Sequence, residues 1–181
     1  VQEELVNAEK IAESAREAVV EFATQRELAE QVAMEEKALR NIEELAELGV
    51  LSGVYGRLRD LIKVESGYEG AVEVAAAGWL DSLVVRDFDA AFACTETLKR
   101  LKLGRVKIVP LRELSNIKSV RPPKVRGVNG VAFTLVKCAK QHRPAVAFVF
   151  GDTVIAEDDK TAFSISRDGY RTVTTDGDLY E

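Results

Sequence analysis

A chain of 181 residues with 46% hydrophobic residues is long enough to bury one or two cores, and its composition excludes wholesale disorder. No run of about 18 apolar residues occurs, and the N-terminus opens acidic rather than basic and then apolar; the expectation is a soluble intracellular protein with no membrane partner. The net charge of −5 conceals a segregation, because residues 1–48 carry five basic and thirteen acidic side chains, whereas residues 99–143 carry thirteen basic side chains and the single acid Glu113.

Residues 1–48 contain neither Pro nor Gly and are rich in Ala, Glu, Leu and Arg, which predicts one long helix of about 70 Å at ~1.5 Å per residue. Leu5, Ala8, Ala12, Ala15, Val19 and Phe22 recur at alternating three- and four-residue steps, the seam of a coiled coil. A second stripe, Leu28, Val32, Leu39, Ile42 and Ala46, follows out of phase with the first. The chain offers no second long helix for these stripes to pack on, so the expected partner is another helix, with a solvated helix lying on its own domain as the blander alternative. Gly49 ends the helix.

Beyond it, Arg57 to Val64 alternates as a strand. Gly67 to Ala77 reads as a short helix and Leu80 to Val85 as an apolar strand. Asp87 is placed to cap a helix from Phe88 to Leu101, and Gly104 leads into a strand from Val106 to Val109. Residues 110–126 hold three of the four prolines and five basic residues, and read as a connector. A second series follows: strand Val131 to Val136, an apolar segment Ala145 to Phe150 delayed by Pro144, strand Thr153 to Ala156, helix Asp159 to Ser166, strand Arg171 to Thr175, and a turn at Asp176-Gly177.

The two series are copies of one another. GVYGRLRDLIKV, from Gly53 to Val64, returns as GVNGVAFTLVKC, from Gly127 to Cys138, with Gly53, Gly56, Leu61 and Lys63 matched by Gly127, Gly130, Leu135 and Lys137. Ala71-Val72 corresponds to Ala145-Val146 and Gly78 to Gly151. After a small gap Val84 corresponds to Ile155, Ala91-Phe92 to Ala162-Phe163, and Gly104 to Gly169. The fold class that follows is α+β, two similar mixed α/β subdomains preceded by a long coiled-coil helix. The expected divisions are an arm at 1–48, a first subdomain at 49–110, a basic Pro-containing linker at 111–126, and a second subdomain at 127–181.

Candidate chemistry is sparse. No GxxxxGK[ST] loop is present, so this chain alone is not expected to hydrolyse ATP. Cys138 and His142 stand four apart, a spacing compatible with zinc, but Cys94 is the only other thiol or imidazole, and a core cysteine with a surface histidine is the preferred reading. No disulfide is expected between the cysteines. Glu157, Asp158, Asp159, Asp176 and Asp178 could hold Mg²⁺, which leaves a small α/β carboxylate-metal nuclease or phosphotransferase as the alternative function. Helix capping and turn formation account for the same acids without a metal, and no cofactor is expected. The basic block favours sequence-independent DNA contact through Lys99, Arg100, Lys102, Arg105, Lys118, Arg121, Lys124, Arg126, Lys137, Lys140 and Arg143. Trp79 is either a core anchor or an interface residue.

The string GVYGRLRDLIKVESGYEGAVEVAAAGWLDSLVV, followed by VFGDTVIAED and GYRTVTTDGDLYE, resembles the hinge domain of SMC (structural maintenance of chromosomes) proteins. The resemblance covers Val50 to Glu181, and Val1 to Leu48 looks like the end of the first coiled-coil arm. It implies a non-enzymatic module in which two hinges pair at the apex of long antiparallel arms, far from ATPase heads formed by the ends of the whole protein. Implied partners are a second hinge, expected to be an identical one, the returning arm and DNA, in a cytoplasmic, nucleoid-associated protein of chromosome organisation. Gly53, Tyr55, Gly56, Gly78, Trp79, Gly127 and Gly130 are the residues expected near the partner hinge. Hinges of this family continue past DGDL into a glycine-rich strand and a returning helix, so the second subdomain is expected to be C-terminally incomplete. The family's Gly-Gly after the first short helix is changed here to Ala77-Gly78-Trp79.

Overall fold

The computed structural model describes residues 2–181, with side chains from residue 6 onward. Val1 and the side chain of Leu5, the first members of the expected arm and seam, lie outside the described residues. Helix α1 runs from Gln2 to Glu47, and the positive φ of Gly49 ends it, with Gly49 and Val50 donating back to the carbonyls of Ala46 and Leu45. Between residues 6 and 34 it is exposed, including Val19 and Phe22 of the first stripe and Leu28 and Val32 of the second. The second stripe then divides, because Ala38, Leu39 and Ile42 are fully buried against the first half of the protein.

The first half comprises β1 (Val54–Arg57), a helical turn α2 (Leu58–Leu61), β2 (Ile62–Val64), α3 (Glu69–Ala75), β3 (Leu83–Val85), α4 (Phe88–Arg100) and β4 (Ile108–Pro110). A short 3₁₀ turn, Arg112–Leu114, begins the connector, and Leu111 is already buried. The second half comprises β5 (Val128–Val131), a 3₁₀ turn at Ala132–Leu135, β6 (Val136–Cys138), a further turn at Lys140–His142, α5 (Arg143–Phe150), β7 (Thr153–Ala156), α6 (Asp159–Ser166), β8 (Arg171–Thr174) and β9 (Leu179–Tyr180).

The two expected opening strands are therefore each broken in the middle. Gly56 and Gly130 adopt φ of +120° and +131° and sit at bulges, where register shifts between Val54 and Gly56 and between Val128 and Gly130. One helical turn then intervenes before the chain extends again. Leu58, Leu61 and Ile62, like Ala132, Leu135 and Val136, have the i, i+3, i+4 spacing of a helical face, and this outweighs the alternation that suggested a continuous strand.

The sheets repeat as the sequence does. β1 pairs antiparallel with β3 and β3 parallel with β4, while β5 pairs antiparallel with β7 and β7 parallel with β8. Each half also caps its second helix with an aspartate, Asp87 accepting from the Ala90 amide at 3.0 Å and Asp158 from the Thr161 amide at 2.8 Å. The halves are joined by an antiparallel pairing of β2 with β6, in which Ile62 faces Cys138, Lys63 faces Lys137 and Val64 faces Val136. Lys63 and Lys137 are repeat equivalents, so an approximate two-fold axis passes between them. Beneath this ribbon a single core takes Leu58, Val72, Val84 and Val109 from one half and Ala132, Val146, Phe150, Ile155 and Val173 from the other.

One strand has no counterpart. β9, absent from the sequence reading, pairs antiparallel with β8 across the turn at Gly177, placing Tyr180 opposite Thr172 and Leu179 opposite Val173. In the first half β4 occupies the place of β8, and among the described residues no strand lies on its outer edge. The carbonyl of Lys107 and the amide of Leu111 both face β3, so the period of two turns the amide and carbonyl of Ile108 outward.

Candidate functional site

The seven residues expected at an interface fall at three places. Gly53, Tyr55 and Gly56 belong to β1 and the residue before it, Gly127 and Gly130 to β5 and the residue before it, and Gly78 and Trp79 to the turn after α3. Gly53 and Gly127 answer an internal demand: at φ of +78° and +89°, a Cβ would lie 3.0 Å from the Ala90 Cβ and 2.9 Å from the Thr161 Oγ1, at the start of α4 and α6 respectively. Trp79 is half-buried between the halves, meeting Phe148 of α5 edge to face at 5.1 Å. Lys107 lies 5.3 Å above its ring and donates to the Gly78 carbonyl at 2.9 Å.

Two further contacts tie the halves together, and the repeat relates them. Tyr55 meets His142 edge to face at 5.3 Å, and Asn129 donates to the Tyr68 hydroxyl at 3.0 Å. Asn129 is the repeat equivalent of Tyr55, and His142 that of Tyr68, so one junction occurs twice with different chemistry. His142 is 6% exposed, which corrects its reading as a surface residue. The 3₁₀ turn at Lys140–His142 points the ring inward under Tyr55. Among the described residues its Nδ1 has no hydrogen-bond partner, and burial lowers its pKa from the ordinary 6.5.

Two of the acids considered for metal binding, Asp158 and Asp159, have local side-chain partners. Asp158 caps α6, Asp159 accepts from the Tyr180 hydroxyl at 2.9 Å, and the 176–178 segment turns between β8 and β9, with the Asp178 amide donating to Thr174 Oγ1. Among the described residues no three His, Cys, Asp or Glu side chains converge on a point that could hold a metal ion. Both cysteines are free thiols, with pKa values raised by burial, so they are less reactive than exposed thiols.

All eleven basic residues expected to meet DNA are exposed, and among the described residues none forms an ion pair. Lys99 and Arg100 end α4, with Lys102 and Arg105 on the loop after it; Lys118, Arg121, Lys124 and Arg126 lie within the connector. Lys137 lies on β6, Lys140 on the following turn, and Arg143 opens α5, where its guanidinium covers the Phe133 ring at 4.5 Å. Lys63 was missed because acids surround it in sequence, yet β-pairing sets it opposite Lys137 on the solvent side of the ribbon. Like charges directly opposite one another destabilise a pair of strands.

Four arginines outside this group behave differently. Arg57 pairs with Glu36 and Glu43, Arg59 with Glu73 and Asp81, Arg86 with Asp87, and Arg171 with Glu181. Arg171 also donates to the Ala75 carbonyl at the end of α3, another strut between the halves. The Arg57 guanidinium and that of Arg40 hold the Glu36 carboxyl down from 4.5 to about 2. A carboxyl with a depressed folded pKa contributes stability above its unfolded value and loses it as pH falls through the folded one. Glu36→Gln should therefore lower the melting temperature near neutral pH, and the difference from wild type should disappear between pH 4.5 and about 2. A difference that persists unchanged at the acid end would show that the ionised carboxylate is not what the substitution removed.

A family model described as the SMC proteins flexible hinge domain matches residues 51–166. The chain is 37% identical over 133 residues to the chromosome partition protein Smc of Aquifex aeolicus, and 33% identical over 136 residues to that of Halothermothrix orenii; each match covers about 70% of this chain and 12% of the relative. It thus spans about an eighth of the length of these curated relatives. Among solved structures it resembles the asymmetric dimer of the Geobacillus stearothermophilus SMC hinge domain, with a TM-score of 0.70 at 27% identity over 86% of this chain and 68% of that one. The Pyrococcus furiosus Smc hinge domain with an extended coiled coil gives a TM-score of 0.68 at 33% identity over 87% and 57% of the two chains. With its repeated sheets and its long N-terminal helix, this chain belongs to the SMC hinge family.

Proposed function

We propose that this chain is a pairing module, which joins a second copy of itself at the apex of coiled-coil arms and touches DNA without reading its sequence, within a nucleoid-associated protein of chromosome organisation. The observation that carries the pairing is the open outer edge of β4. The repeat places a strand beside β8 and, among the described residues, none beside β4, and an edge whose Ile108 amide and carbonyl are unused is a template for a strand from another chain, although Pro110 beside it offers only a carbonyl. Residues 6–33 of α1, with their exposed apolar stripes, are suited to a returning helix. Two differently tagged copies expressed together are expected to co-purify, and recovery of the bait alone would reject the pairing.

DNA contact rests on eleven exposed cations without carboxylate partners, joined by Lys63, in a protein whose net charge is negative. Unpaired cations are free to replace counterions along a phosphate backbone, and such binding is steep in salt. Replacing Lys118, Arg121, Lys124 and Arg126 together by Ala should lower affinity for a random duplex roughly tenfold or more and flatten the log–log salt dependence by about 3–4 units, at ~0.9 per phosphate contact. Fluorescence anisotropy in a salt series measures both. An unchanged slope would remove this segment from the interface.

A further inference from the structure

We infer that the last turns of α1, from Met34 to Glu47, move as one body with the first half of the hinge, and that Arg57 is the lock that sets the direction of the arm. Glu36 and Glu43 lie seven residues apart and so on one face of α1. Arg57 reaches both: Nη1 and Nη2 donate to the two Glu36 oxygens at 2.7 and 3.1 Å, and Nε and Nη2 to those of Glu43 at 2.9 and 3.0 Å. The guanidinium is therefore held by two carboxylates that stand two helical turns apart on one face, a geometry that a flexible lysine would not fix. The Arg57 side chain is only 14% exposed.

Two more contacts complete the fixation. Leu39 and Ile42 are buried among Leu83, Val85, Ala90 and Cys94. Farther along the arm, Gly104 lies so close to α1 that a Cβ there would stand 3.4 Å from the Met34 carbonyl oxygen. A helix held at Met34, Glu36, Leu39, Ile42 and Glu43 has no freedom to pivot at Gly49, where it ends. Bending is confined to the exposed part before Met34.

The repeat supplies an internal control. The equivalent of Arg57 is Val131, at the same place at the end of β5 and before the same turn, and Val131 is buried. The second half thus places a valine where the first half, against which α1 packs, places the arginine, so this backbone position accepts Arg57→Val without loss of the fold. Glu36 and Glu43, partly exposed, would then be hydrated rather than stranded.

Nitroxide labels at Lys37→Cys, exposed on the fixed turns of α1, and Ser66→Cys on the first half, in a Cys138→Ser background with the fully buried Cys94 retained and diluted with unlabelled chain, report arm direction by double electron–electron resonance. The wild-type pair should give one narrow distance distribution, and Arg57→Val or the double substitution Glu36→Gln, Glu43→Gln should at least double its width. Amide exchange at residues 36–47 should rise in the same variants, while exchange at Val84 and Val85 in β3 stays as in wild type. An unchanged distance distribution in Arg57→Val would overturn the lock. So would exchange that rises equally in α1 and β3, since that is general destabilisation rather than release of the arm.

Discussion

Phe150→Ala is expected to destabilise the protein by about 3–5 kcal/mol and to weaken both halves at once. Phe150 closes α5, is fully buried, and is the largest such side chain in the molecule. It belongs to the core that also contains Leu58, Val72 and Val84 of the first half, so truncation opens a cavity neither half can collapse alone. Unfolding in urea followed by amide exchange at Val84 in β3, a probe on the first half, and in β7, a probe on the second, should shift together. Loss confined to β7, with the β3 transition in place, would show that the halves hold separate cores.

Gly127→Ala should cost about 2–4 kcal/mol, combining a backbone strain of ~1–2 kcal/mol with damage to a helix cap of comparable size. Its φ is +89°, and the new methyl would meet Thr161 Oγ1 at 2.9 Å, the hydroxyl whose own amide is capped by Asp158. Gly169 has the same φ with open space around it, so Gly169→Ala carries the strain alone and should cost about 1–2 kcal/mol. Thermal denaturation of the pair separates the two contributions. Equal losses would mean that Thr161 moves aside freely and that the close approach has no energetic weight.

Much of this architecture was legible because the chain states it twice. Matching Gly53 to Gly127 and Lys63 to Lys137 located both opening strands, and Asp87 and Asp158 marked the same helix start in each half. The two-fold relation itself was not legible, since it appears only when β2 and β6 pair with Lys63 opposite Lys137. The broken strands were misread although the spacing of Leu58, Leu61 and Ile62 carried the helical signal, because over eight residues alternation and a single helical turn leave similar patterns. β9 is two residues long and follows a turn, too short for any periodicity to announce it. His142 was read as exposed because the fold, through Tyr55 from 87 residues earlier, supplies its cover.

The functional surfaces divide in the same way. Charge segregation pointed to the basic residues from Lys99 to Arg143, and all of them are exposed. Lys63 was hidden by neighbouring acids, and Arg57 by a sequence in which nothing near it suggests Glu36 and Glu43, 21 and 14 residues away. Its mismatch with Val131 is one of seven between the two twelve-residue strings, and nothing in the sequence singles it out. Gly53 and Gly127, expected at the partner surface, are accounted for by close packing against α4 and α6.

If two copies pair through the open edge of β4, light scattering over a wide concentration range, with wild type beside Ile108→Pro, will show it. Proline at 108 removes an amide that points away from β3, so the sheet within one copy keeps its hydrogen bonds while the outer edge loses a donor. Wild type is expected at twice the chain mass of 19.9 kDa, and the variant shifted markedly toward 19.9 kDa. A wild-type mass of 19.9 kDa at every concentration, or a variant that pairs as tightly as wild type, would reject pairing through this edge.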